Sequence, residues 1–263
     1  NEIIRTIRSS STTENLPSII NLDDITVKRQ IIALNSIIKN FLGNEKYSFL
    51  IVDQNLIVNT NNLELSSRGS AIRGMLGFSK DFHFLLNKEL LWDKNKIDDA
   101  VSKIDKQKTC VFGFTWLIYQ IMKDNLELKK LFVELENPYI LHIGGWKKLS
   151  ELAIDKQDFN KEVSDFFNTK PENVIDFYGM TEQLGIVYPD CVSGYKHVPV
   201  FADILIRDVH DQKCLPIGKS GFIQILSPIP NSYPGISILT EDIGKIIGED
   251  DCSCGRKGKY FVF

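Results

Sequence analysis

Several things are scarce in this chain of 263 residues, and each scarcity removes a class of protein. Positive charge is not in excess: 31 Lys and Arg against 34 Asp and Glu leave a net charge of −3, without the clustered basic surplus of a nucleic-acid-binding surface. Long apolar runs are missing too. The most apolar stretch, Cys110 to Met122 (CVFGFTWLIYQIM), is too short and too interrupted for the ~20 residues that span a bilayer, so no membrane span is expected. Five cysteines (Cys110, Cys191, Cys214, Cys252 and Cys254) are an odd number, which argues against a disulfide framework and for a reducing, cytoplasmic setting. No secretory signal, internal repeat or low-complexity segment is visible.

What is present is ample material for a core. With 43% hydrophobic and 25% charged residues, the chain reads as one large or two smaller globular domains. Its character changes near residue 183. Before that point helical and strand patterns alternate. Asp23-Asp24 can cap a helix whose apolar face is Ile31, Leu34, Ile38, Phe41 and Leu42, with Gly43 as its stop. YSFLIVD (Tyr47 to Asp53), TCVFGF (Thr109 to Phe114), YILHI (Tyr139 to Ile143) and NVIDFY (Asn173 to Tyr178) read as buried strands. Helices are expected between them, at Trp116 to Glu134 and Asp158 to Asn168. This alternation predicts an α/β fold with a mostly parallel sheet and covering helices over residues 1–183. Residues 184–263 hold six of the nine prolines and read as short strands with turns, an antiparallel sheet or distorted small barrel.

Five constellations could carry chemistry. Ser9 to Thr13 are consecutive hydroxyl residues, which can bind phosphate oxygens or simply form a solvated linker. In YILHIGGWKKL, Gly144 and Gly145 end a buried strand, where the lack of a Cβ lets a planar ligand approach or merely permits a tight turn. Trp146 could wall such a pocket, and Lys147 or Lys148 could meet a phosphate. In FYGMTE, Tyr178 can stack on a base, Gly179 gives room, Thr181 can bond a phosphate and Glu182 can hold Mg²⁺; the alternative is a strand-end turn with a capping Thr and Glu. Asp242 in LTED, placed between two strands, can accept both hydroxyls of a ribose or be an ordinary turn aspartate. Finally Cys191 and His197 (CVSGYKH) with Cys252 and Cys254 (CSCGRKG) make up a Cys3His set suited to structural zinc, although the spacing is not that of a standard finger.

The order of these pieces is more informative than any one of them. Hydroxyl-rich loop, GGWKKL, FYGMTE, then LTED resembles the core motifs of the adenylate-forming superfamily. Within it, HIGGWKKL, SYPGISILTEDIG (Ser232 to Gly244) and CSCGRKGKYF look most like the LuxE-like acyl-protein synthetases; the phenylacetate-CoA ligase type is the near neighbour. The resemblance covers almost the whole chain. It implies that Ser10, Ser11, Thr12 and Thr13 hold the ATP β- and γ-phosphates, that Gly144 and Gly145 flank adenine and that Tyr178 stacks on it. It further implies that Thr181 contacts the α-phosphate, Glu182 holds Mg²⁺ and Asp242 binds the ribose, with Thr181 and Glu182 as the catalytic pair. Ser11 and Glu14 depart from the family loop, where glycines are usual, and Ser18 stands where the superfamily often has lysine.

The reaction implied is ATP-dependent activation of a fatty or other carboxylic acid as acyl-adenylate, followed by transfer to a thiol of a C-terminal domain, a partner reductase or CoA. The acyl pocket is expected around Ser66 to Phe78 and Trp146, where RGSAIRGM reads as a loop. Aryl- or acyl-CoA ligation is one alternative and a degenerate, non-catalytic adenylating fold another. A chain that starts at Asn1 and stops at Phe263 is expected to be a large-domain fragment without the hinge and small C-terminal domain.

Overall fold

The structure, a computed structural model, describes residues 2–8, 18–55, 64–146, 151 and 153–263. They fall into two compact units. One is formed by the described residues of Asn1–Ser11, Leu16–Gly43 and Phe177–Phe263, the other by those of Asn44–Asp176.

In the first unit, strands β1 (Ile3–Arg8) and β2 (Ile19–Asp23) form an antiparallel pair and lead into helix α1 (Asp24–Leu42). The helix starts and stops where the sequence predicts. The Asp23 carboxylate accepts from the Thr26 N–H at 2.8 Å, and Gly43, at φ 84°, donates its N–H to Lys39. Its buried face keeps Ile38 and Leu42 of the expected one but not Ile31. Thr26, Gln30, Ala33, Ile37, Ile38 and Leu42 are inside, whereas Ile31 is 56% exposed. A close approach fixes this seat: a Cβ on Gly185 (φ +88°) would lie 2.5 Å from the Gln30 Cα, so α1 meets its neighbour at Gln30 and the next residue, Ile31, is left exposed.

In the second unit, β3 (Tyr47–Val52), β4 (Glu64–Ser66) and α2 (Ser67–Leu76) come first. Then follow β5 (Ser79–Phe84), α3 (Lys94–Lys103), β6 (Thr109–Phe114), α4 (Thr115–Asp124), β7 (Tyr139–Ile143), α5 (Lys156–Phe166) and most of β8 (Val174–Tyr178). The strands run in the order β5-β3-β6-β7-β8, with the β5–β3, β3–β6 and β6–β7 pairs parallel. β6 is buried along its whole length, as a strand covered on both faces should be. Two helical expectations are corrected. The helix predicted over 116–134 stops at Asp124 and continues as a 3-10 turn, Leu126–Leu131. RGSAIRGM is not a loop but α2, capped by Ser66, whose hydroxyl accepts from the Gly69 N–H at 3.0 Å.

Beyond Asp176 the chain returns to the first unit. Phe177 and Tyr178, the end of β8, pair antiparallel with Pro189 and Tyr188 of β9 (Tyr188–Pro189). β10 (Lys196–His197), β11 (Asp203–Arg207), β12 (Ser220–Leu226), β13 (Ser237–Glu249) and β14 (Lys259–Val262) build an antiparallel sheet in the order β10-β14-β13-β12-β11. β10 and β11 are its two edges, so this is an open sheet and not a barrel. Ile204, Ile206, Ile223, Ile225 and Ile246 pack with Ala33 and Ile37 of α1 and with Tyr178, Tyr188 and Phe261. Each such fully buried isoleucine contributes ~1.5–3 kcal/mol relative to an exposed one.

Candidate functional site

The turn after β8 is held from several sides. Met180 precedes a short 3-10 turn, Thr181–Gln183. The Gln183 side chain is buried, and its amide donates to the Gly235 carbonyl. The Tyr233 hydroxyl donates to the Glu182 carbonyl at 2.9 Å. The TEQ turn is thereby pinned to the SYPG segment, so Thr181 and Glu182 leave a fixed backbone. Gln183 and Tyr233 do this positioning, and both sit inside motif stretches whose sequence signal pointed only to their neighbours.

Asp242 lies where the sequence reading did not put it. It is not in a turn between strands but inside β13, at an irregularity: Phe222 faces Ile243 and Gln224 faces Leu239, so β13 spends four residues where β12 spends two. The regular in–out alternation breaks at Glu241, Asp242 and Ile243, all exposed. Thr240 braces the bulge, donating its hydroxyl to the Ile223 carbonyl at 2.9 Å and accepting from the Asp242 N–H at 3.2 Å. The bulge aims the Asp242 carboxylate at Tyr178, whose hydroxyl donates to Oδ2 at 2.7 Å. Two motifs 64 residues apart in sequence thus meet directly.

The Tyr178 ring is buried among Tyr188, Phe261 and Phe263. Its closest aromatic partner is Phe263, with centroids 4.3 Å apart, and Phe263 itself is half exposed. Burial first, then the hydrogen bond to Asp242, push the Tyr178 phenol well above its ordinary range, so it stays a donor.

In the second unit, Gly144 and Gly145 end β7. Gly144 sits at φ +80°, and a Cβ there would come 3.2 Å from the Phe114 ring; around Gly145 the space is open. Trp146 packs edge-on against Tyr119 (4.9 Å) and Phe159 (5.7 Å). On the strand before them, His142 is buried, with Nδ1 2.9 Å from the Thr115 hydroxyl and 3.6 Å from an Asp176 oxygen. The Asp53 carboxylate ending β3 is buried against Arg68 at 3.1 Å; burial raises its pKa and the guanidinium opposes that. A cavity of ≈ 470 Å³ is lined by Arg73, Leu76, Phe82, His83, Phe84 and Lys96 among others. Ser10, Ser11, Thr12, Thr13, Lys147 and Lys148 lie outside the described residues.

The third predicted group is assembled. Ligand atoms of Cys191, His197, Cys252 and Cys254 all lie within 4.8 Å of one another. Sγ of Cys191 and Cys252 are 4.0 Å apart, and Cys254 Sγ is 3.3 Å from His197 Nε2. A tetrahedron with metal–sulfur bonds of about 2.3 Å has sulfur–sulfur edges of about 3.8 Å, near the Cys191–Cys252 separation, while the four ligand atoms together spread over up to 4.8 Å. Two matched turns present the thiols. The Gly194 N–H bonds the Cys191 carbonyl and the Gly255 N–H the Cys252 carbonyl, both glycines at positive φ. Ser193 and Ser253 hydroxyls join the turns at 2.8 Å. Burial pushes Cys254 up to about 11, with the Cys252 and Cys191 thiols adding to it. Three thiolates this close repel one another, and a soft divalent cation removes that conflict. Beside the cluster, Lys196 and Asp190 form a buried ion pair at 3.0 Å that no sequence signal announces.

Among solved structures, the fold is similar to ATP-bound MatB from Rhodopseudomonas palustris (TM-score 0.62, 15% identity, 97% of this chain and 46% of that one). It is also similar to 2-hydroxyisobutyryl-CoA ligase (TM-score 0.66, 14% identity, 98% and 55%). At such identities the likeness shows the fold alone. In sequence, the chain is 28% identical over 143 residues to the long-chain-fatty-acid–luciferin-component ligase of Vibrio harveyi, covering 54% of this chain and 37% of that protein. The protein of the same name from Aliivibrio fischeri is 29% identical over 177 residues, covering 62% and 45%. The matches thus span less than half the length of these relatives. The family described as "Acyl-protein synthetase, LuxE" matches residues 1–263, and the chain belongs to that family.

Proposed function

We propose that this chain carries the adenylation site of a ligase that activates a long-chain fatty acid with ATP and passes the acyl group to a thiol. The observation that carries the reading is the Tyr178–Asp242 contact, which brings the FYGMTE turn and the LTED strand into one place within a chain of the LuxE family. The acid class follows the name of the two bacterial relatives. In the first half-reaction a carboxylate oxygen attacks the α-phosphorus of ATP, forming the acyl–phosphate bond as pyrophosphate leaves. Tyr178 would offer its ring to the base, at the place where the half-exposed Phe263 now packs with its centroid 4.3 Å away. Asp242 would receive the ribose, and Thr181 would orient the α-phosphate. Ser10 to Thr13 would hold the β- and γ-phosphates. Glu182 would hold Mg²⁺, which neutralises charge on the phosphates. A thiolate then attacks the acyl carbon, AMP leaves with the carboxyl–phosphate oxygen, and a thioester results. The thiol belongs to a C-terminal segment, a partner protein or CoA.

Acid-dependent exchange of pyrophosphate into ATP by the full-length protein tests this. Exchange with long-chain fatty acids is expected, and Glu182→Gln should lower it by at least about a hundredfold. Exchange with no acid, or an unchanged rate in the variant, removes the reading or Glu182's part in it.

The Cys191, His197, Cys252 and Cys254 cluster is proposed as a structural zinc site. Four protein ligands would leave no open position for substrate. That all five cysteines are free supports a reducing, cytoplasmic setting. No helix among the described residues is long and apolar enough to cross a membrane.

A further inference from the structure

We infer that Arg256 is a positioning residue of the Cys3His site: by clamping the CSCGR turn onto the end of α1, it holds Cys254 in place for a metal ion. The inference rests on the zinc reading above and adds to it the contact that seats the least buried of the four ligands.

The four residues are not seated alike. Cys191, His197 and Cys252 are buried and fixed by the packing around them, whereas Cys254 is only partly covered. Its sulfur lies 3.3 Å from His197 Nε2 and accepts the Arg256 N–H at 3.4 Å. Gly255, at φ +82°, turns the chain between the two residues. The Arg256 side chain then reaches the last turn of α1 and meets it at three points. Its guanidinium lies over the Phe41 ring, 3.8 Å from the centroid. Nη1 donates to Asn40 Oδ1, and Nη2 donates to the Asn40 carbonyl at 3.1 Å. Each contact suits a guanidinium. The Asn40 carbonyl is one of the last four of the helix and has no partner within it, and a cation there is favoured by the helix dipole. The flat guanidinium stacks on an aromatic face and forks to two oxygens at once, which an ammonium does not do. Phe41 packs in turn against the core that includes Ile204, Ile223 and Phe261, so the clamp is anchored in the sheet's own packing. The backbone N–H that bonds the ligand sulfur thus belongs to a residue whose other end is fixed. Groups that bond a metal ligand from outside set its orientation and, with it, the affinity for the ion.

Zinc affinity of the full-length protein, measured by competition with a chelator of known affinity at one pH, tests this. Arg256→Ala should weaken zinc binding about tenfold. Arg256→Lys, which keeps the charge but not the planar fork, should recover only part of that loss. Asn40→Ala is the more searching variant. It removes one arm of the clamp and leaves the CSCGR turn untouched, and alanine at an exposed helix position does not weaken the helix. Zinc affinity should nevertheless fall severalfold. In the Arg256→Ala background the same change should cost nothing further, because both act through one contact. Affinity within about twofold of wild type in both single variants overturns the inference, and so do losses that simply add in the double variant. Should Arg256→Ala fail to fold, Asn40→Ala decides alone, and an unchanged affinity there overturns the inference. A folded wild type that takes up no zinc sinks the zinc reading itself, which is a different failure.

Discussion

At the scale of single residues, the chain's tyrosines record how much of its polar chemistry is kept out of water. Tyr178 and Tyr188 are held well above the ordinary phenol range, chiefly by burial. Tyr233 is pushed up to about 12 by burial and by the Glu182 charge, and Tyr260 to about 12 by its hydrogen bond to Asp251. Burial also raises Tyr47. A group whose folded pKa exceeds its unfolded value contributes stability that is complete below the unfolded pKa, about 10 for tyrosine, and is lost as pH rises through the folded one. Phenolate absorbance of the native protein should therefore show five of the eight tyrosines lagging above pH ~10, and all eight titrating together near 10 in denaturant. One shared midpoint near 10 in the native state would contradict the enclosure of Tyr178. This enclosure was not legible in the sequence. FYGMTE announces an aromatic at a strand end, but nothing local says that Phe261 and Phe263, more than eighty residues later, close around it.

At the scale of elements, local signals worked where the cause is local. The Asp23 cap and Gly43 stop of α1 were readable because they depend on residues within one turn. The face of α1 was readable at Ile38 and Leu42 but not at Ile31, because its exact rotation is chosen by a partner remote in sequence. Gly185 lies close against the backbone of Gln30, so the helix turns Gln30 inward and leaves Ile31 and Ile32 in solvent. Gly185→Ala should then be costly twice over, for positive φ and for a Cβ 2.5 Å from the Gln30 Cα. A loss of about 2–4 kcal/mol in the free energy of unfolding is expected from urea melts, without a change in slope. A loss below about 0.5 kcal/mol would mean that α1 can retreat from the sheet at little cost. The bulge in β13 has the same character. GISIL and DIGKIIG read as two strands with a turn between them, because the alternation fails at Glu241 to Ile243; the pairing with β12 instead carries one strand through the irregularity. That failure of alternation was the trace of Asp242's special position.

At the scale of the whole molecule, the Cys3His cluster brings together turns some sixty residues apart, and the metal proposed for it would add to the stability of the fold. Purified protein should contain one zinc per chain by elemental analysis. Removing the metal with a chelator, or substituting Cys252→Ser, should lower the unfolding free energy. Returning zinc to the chelated wild type at about a hundred times its Kd should restore about 2.7 kcal/mol. Equal stability with and without metal would reduce the cluster to three unrelated thiols and a histidine.

The sequence by itself determined the class of fold, the strands β3, β6, β7 and β8, the caps of α1 and the candidate residues Tyr178, Glu182, Asp242 and the Cys3His set. Each of these rests on hydrophobic periodicity, on capping within a turn, or on the order of motifs along the chain. Only the tertiary structure decided that α1 packs with the β-rich sheet, which face it turns, that the second sheet stays open, and that Tyr178 and Asp242 bond each other. Those outcomes depend on which backbones approach closely enough to exclude a Cβ and on where strand pairing absorbs extra residues. Both are properties of contacts between distant segments, and no local pattern encodes them.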